Sequence, residues 1–212
     1  TLSVADGTLV GTGDWDSPSL SVGYQVFYDA SVAGWRYKYE ITTNHKLLSH
    51  QILETSGTLD RSLVHDLRLN GSPVDASFNT YSSSNPSNPN MPGKTYGFKV
   101  DVAEELSAQV LLLSFWSPRV PAWFDWYAKD GKGRGGVWNA VYNAGFVSGE
   151  GVTQGQNDGM DALLLGPGAD FVYHGTAGGF DVYRPRGDAV GVWTDHVLAP
   201  DTTIGPPQEA PG

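Results

Sequence analysis

Cysteine is absent from the 212 residues, so disulfide staples, thiolate zinc sites and cysteine nucleophiles are excluded by composition. Basic residues are scarce: 13 Lys and Arg stand against 23 Asp and Glu, a formal charge of −10. Neutralising a phosphate backbone needs clustered cations, so nucleic acid is not the expected partner. No apolar run approaches the ~20 residues of a membrane-spanning helix, and no transmembrane segment is expected in this chain. Helical periodicity is nearly missing too. What the chain has in quantity is glycine (27), proline (13) and aromatic rings (7 Trp, 10 Tyr, 8 Phe). That many rings do not suit a solvated chain, so the composition describes a folded protein rich in turns.

Period-two alternation carries the secondary structure. Trp35, Tyr37, Tyr39 and Ile41 alternate with Arg36, Lys38, Glu40 and Thr42, giving one apolar and one charged face. Tyr24, Val26 and Tyr28 repeat the pattern before a turn at 29–34, and Tyr96, Phe98, Val100 and Val102 repeat it later. Residues 110–115 are apolar except for Ser114, which predicts a strand buried on both faces. Asn70-Gly71 marks a hairpin, because both residues tolerate positive φ. Further strands are expected at 137–142, 162–165, 171–174, 179–183 and 189–198; a helix over 102–112 is the one competitor.

Short strands separated by Gly, Pro, Ser and Asn predict an all-β fold, an antiparallel β-sandwich or jelly roll with long loops. Two loops stand out, 80–93 (TYSSSNPSNPNMPG) and 148–168, the first with almost no side chain able to nucleate a core. One sandwich domain over 1–199 is preferred to a division near 147. Residues 200–212 hold four prolines and read as a tail. Thr1 in place of Met is what a processed chain would show. Leu2, Val4, Leu9 and Val10 suggest that residues 1–13 add a strand to a neighbouring sheet.

The chemical motifs are thin. Gly131, Gly133 and Gly136 match G-x-G-x-x-G formally but precede a strand pattern, so the stretch reads as a glycine loop. His45 and His50 are five apart and miss the zinc-helix spacing; His50 reads as a hydrogen-bonded strand residue. No G-x-S-x-G elbow occurs, and Gly145, Ser148 and Gly149 miss its spacing. Asp158 and Asp161 hint at a calcium loop without its acidic ladder. Glu40, Glu54, Asp125 and Glu150 are the acids from which a glycosidase pair would have to be drawn. No catalytic residue, metal ligand or cofactor site is assigned.

The densest feature is 115–131, where Trp116, Trp123, Trp126 and Tyr127 crowd around Arg119. Exposed, these five would form a platform for sugar rings or a partner protein; buried, they would close one end of the sandwich.

Six segments resemble secreted bacterial proteins of the PEP-CTERM class: GWRYKYEIT (34–42), LSHQILETS (48–56), NPNMPGKTYGFKVD (88–101), SFWSPRVPAWFDWYAKDG (114–131), YNAGF (142–146) and HVLAPDT (196–202). The resemblance implies export, sorting by an exosortase, and residence at the cell surface or in the matrix. It implies no reaction. Phe124 and Trp126 depart from the Gly and Phe expected at those places, and 147–195 is longer than the pattern. The expectation is therefore an extracellular or cell-surface structural protein without catalysis, self-assembling through its termini. A carbohydrate-binding module for extracellular polysaccharide and a concanavalin-like hydrolase are the alternatives.

Overall fold

The alternation in 34–42 sets the frame. In the computed structural model, Trp35, Tyr37, Tyr39 and Ile41 all turn inward and are buried, while Lys38 and Glu40 face water. The structure describes residues 1–43, 48–57, 59–106, 108–146, 162–168, 171–177, 180–185 and 196–197. The strands of the first half are β1 (Leu2–Ser3), β2 (Leu9–Thr12), β3 (Ser21–Asp29), β4 (Gly34–Thr42), β5 (His50–Glu54), β6 (His65–Leu69), β7 (Ser72–Pro73) and β8 (Ser77–Tyr81). There follow β9 (Thr95–Asp101), β10 (Val110–Ser117), β11 (Pro121–Phe124), β12 (Trp126–Lys132), β13 (Trp138–Asn143), β14 (Leu164–Pro167), β15 (Phe171–Ala177), β16 (Phe180–Pro185) and β17 (His196–Val197).

Two six-stranded antiparallel sheets pack face to face, in the orders β1-β3-β4-β10-β6-β7 and β2-β13-β12-β5-β9-β8. The fold is an all-β sandwich. Strand β4 neighbours β10 in the first sheet, and their continuations β5 and β9 are neighbours in the second. The four strands thus form one ribbon folded from sheet to sheet, the winding of a jelly roll. Strands β11 and β14 make a small pair beside the sandwich, and β15-β16-β17 form a three-stranded sheet.

Rings from both sheets fill the space between them. Phe115 stacks on Tyr37 at 5.0 Å, and Phe98 from the other sheet meets Phe115 edge-on at 5.3 Å. The buried phenols keep their hydrogen bonds: Tyr37 Oη donates to the Arg119 carbonyl and Tyr39 Oη to the Leu165 carbonyl. The second of these ties β14 to the first sheet. Asn70 (φ 50°) and Gly71 (φ 82°) form the expected β6–β7 turn.

Three expectations need correction, and one competing reading is decided. Strand β10 is buried on one face only, with Val110 48 % and Leu112 42 % exposed. The competing helix over 102–112 amounts to a single turn at Glu104–Leu106, because β10 claims the following residues. Residues 1–13 are edge strands of their own molecule: β1 pairs with β3, β2 pairs with β13, and Leu2 and Leu9 are buried. They are not a free strand awaiting another sheet. Finally, the loop after β8 does contribute to a core. Met91 packs in a second apolar cluster with Ile52, Tyr81, Tyr127 and Ala140, and Asn88 is fully buried.

Candidate functional site

Strand β5 positions the chemistry. Its inward side chains are Gln51 and Leu53; Ile52 points to the opposite face and joins the Met91 cluster. All five of its residues are buried: Gln51 and Leu53 lie against the sandwich core, and Ile52 lies under residues 82–93, which cross the outer face of the second sheet as a strap. Two hydrogen bonds pin that strap: Tyr127 Oη donates to the Pro89 carbonyl at 2.7 Å, and Asn90 Nδ2 donates to Thr12 Oγ1 at 3.2 Å.

At the end of β5, Glu54 and Asp125 clasp each other. The Glu54 amide donates to the Asp125 carbonyl at 2.9 Å, and the Asp125 amide donates to Glu54 Oε2 at 2.8 Å. Asn143 completes the group: its Nδ2 donates to Asp125 Oδ1 at 2.8 Å, and its Oδ1 accepts from the Trp126 amide at 2.7 Å. Glu54 is 1 % exposed, and Asp125 and Asn143 are fully buried. Burial, and next the neighbouring Asp125 charge, push the Glu54 carboxyl up to about 8. Near neutral pH it therefore carries its proton beside a second acid. That is the electronic state of a general acid, but a general acid must reach its substrate. This pair is sealed, and its contacts splice β5, β12 and β13 together.

His50 begins the same strand, also buried, with Nε2 unpartnered among the described residues. It is a strand residue as expected, paired with Lys129 of β12 and Asp101 of β9, and its side chain has a hydrogen bond with Asn88. Desolvation first, then the charges of Lys99 and Lys129, push the imidazole down to about 4.

The five aromatic-loop residues do not form one platform. Trp126 belongs to the inner core, where its Nε1 donates to Gln51 Oε1 at 3.1 Å. Tyr127 lies under the strap. Arg119 is buried, and its amide donates to Ser117 Oγ. Trp123 is half-buried, edge-on to Tyr24 at 6.3 Å. Trp116 is half-buried on the first sheet's outer face, stacked on His65 at 4.0 Å. Successive residues of a strand face opposite ways, so a crowded sequence was divided among separate environments. Of the other acids, Glu40 is exposed on β4, while Glu150, Asp158 and Asp161 lie outside the described residues, as do His45 and the tail at 200–212. His174 and His196 fall on β15 and β17.

One arrangement went unnoticed in the sequence. Lys129 Nζ stands 5.4 Å and Lys132 Nζ 5.2 Å from the centre of the Trp138 ring. Only the β12–β13 register reveals it. Among the described residues no group of three or more His, Cys, Asp or Glu is placed to hold a metal ion. No protein-family model, curated protein or solved structure matches the chain.

Proposed function

We propose that this chain is a non-catalytic structural component of a cell-surface or extracellular-matrix layer. The observation that carries the reading is the sealing of Glu54 and Asp125: the acids that come together are buried, and the hydrogen bonds described between Glu54, Asp125 and Asn143 tie strands together. The hydrolase alternative needs two carboxyls in an open cleft. The resemblance to exported, sorted proteins supports the location.

The test is direct. Cells producing the protein are separated into cytosol, envelope and extracted matrix, and the purified chain is incubated with a panel of polysaccharides. The protein is expected in the envelope or matrix fraction, and no reducing ends are expected to appear. Residence in the cytosol contradicts the location; hydrolysis that disappears in Glu54→Gln contradicts the absence of catalysis.

A further inference from the structure

We propose that Lys129, Lys132 and Trp138 form a binding site for a uronate-bearing polysaccharide on the outer face of the second sheet. This deepens the matrix reading by naming what the component adheres to, and it takes its biological setting from that reading.

The site is built by an irregularity in the sheet. Residues three apart on a regular strand face opposite sides. Between Lys129 and Lys132 the β12–β13 register shifts, so Lys129 pairs with Ala140 and Lys132 with Trp138. A bulge of this kind re-aims a side chain. Both ammoniums consequently approach one indole. Each ammonium lies within 5.4 Å of the centre of that ring.

Neither ammonium has a carboxylate within ion-pair distance among the described residues. Of the other described cations, Arg36 pairs with Asp29, Arg68 with Asp66 and Lys99 with Asp101, while Lys38 has no carboxylate partner among the described residues and stands over the Phe27 ring. In a chain with ten more acids than bases, Lys129 and Lys132 offer an anion two cations at one ring, with Asp130 between them in sequence. The surroundings add an apolar half. Trp138 is half-buried, and Val137 next to it is 48 % exposed. A pyranose ring offers C–H groups to such a surface, and a carboxylate on that ring meets the ammoniums. A neutral glucan would leave both charges unanswered. A polyphosphate would require a broader basic surface than two lysines on an acidic protein provide.

The experiment titrates the full chain with an oligogalacturonate, its methyl-esterified neutral counterpart and a single-stranded oligonucleotide, read by tryptophan fluorescence and calorimetry. Saturable binding to the carboxylated sugar is expected, with little to the other two. Lys129→Gln/Lys132→Gln should weaken it at least about tenfold, as should 0.5 M salt on the order of magnitude that screening predicts. Circular dichroism confirms that this double variant remains folded. Absence of saturable binding, equal binding of the neutral sugar or the oligonucleotide, or an unchanged affinity in the folded double variant overturns the site. Residence in the envelope without sugar binding overturns this proposal alone; cytosolic residence with intact binding overturns the matrix reading alone.

Discussion

The two sheets treat their outer faces differently. On the first sheet, β4 and β10 alternate cleanly, with rings and aliphatics inward and Lys38, Glu40, Val110 and Leu112 outward. On the second, β5 is buried at every position although its sequence, HQILE, holds three polar residues. Composition alone assigns double burial to the wrong strand: the apolar 110–115 has one face in water, and His50–Glu54 has none. What decides burial is the presence of a cover. The strap at 82–93 is that cover over Ile52 and Tyr127, and polar groups buried on β5, such as His50 and Glu54, must find internal partners or change protonation.

The sharpest way to break this comparison is to remove matching side chains from the two outer faces. Ile52→Ala, under the strap, should cost ~2–5 kcal/mol in urea unfolding, and Met91→Ala a loss in the same range. Leu112→Ala, on the open face, should stay within about 0.5 kcal/mol. Equal costs at Ile52 and Leu112 would mean that the strap does not seal the second sheet.

A pH series separates the faces next, because the titrating buried groups lie on β5. Glu54 is raised from its ordinary 4.5 to about 8, so the folded state holds a proton that the unfolded chain has lost between those values. Its contribution is complete below pH 4.5 and declines as pH rises to about 8, at no more than ~1.4 kcal/mol per unit. His50 is lowered from 6.5 to about 4, so the unfolded chain holds the extra proton and stability rises with pH across that window. The two slopes oppose each other from 4.5 to 6.5, where stability should be nearly level, and only the Glu54 decline remains from 6.5 to 8. Glu54→Gln should abolish that decline and leave the His50 rise. A decline that persists in Glu54→Gln would assign it to another group.

A smaller loss than at Ile52 is expected at the strap's pin. Tyr127→Phe removes the hydrogen bond to the Pro89 carbonyl and should cost about 0.5–1.5 kcal/mol. Amide exchange should quicken at residues 82–93 while the first sheet is unaffected; uniform acceleration through both sheets would show that the strap is not a separate unit.

Much of the sandwich was legible because half-exposed strands write their alternation into the sequence, as 34–42 does, and because Asn70-Gly71 suits only a tight turn. The strap was not legible. Its Ser, Asn and Pro residues are those of a solvated loop, and the two that matter, Asn88 and Met91, are recognised only by what lies beneath them. Glu54 and Asp125 stood among the candidate acids, but their meeting depends on β5 lying beside β12, a pairing of segments more than 70 residues apart. Asn143 and the Lys129–Lys132–Trp138 group depend in the same way on register, and one shift in it moves a side chain to the other face.

The titration of Glu54 itself tests the central claim most directly. With its side-chain carboxyl labelled with carbon-13, the resonance should remain that of a protonated acid at pH 6.5 and change with a midpoint about 8. A midpoint near the ordinary 4.5 would show a carboxylate in contact with water, and the sealed, strand-splicing pair would have to be replaced by an open one.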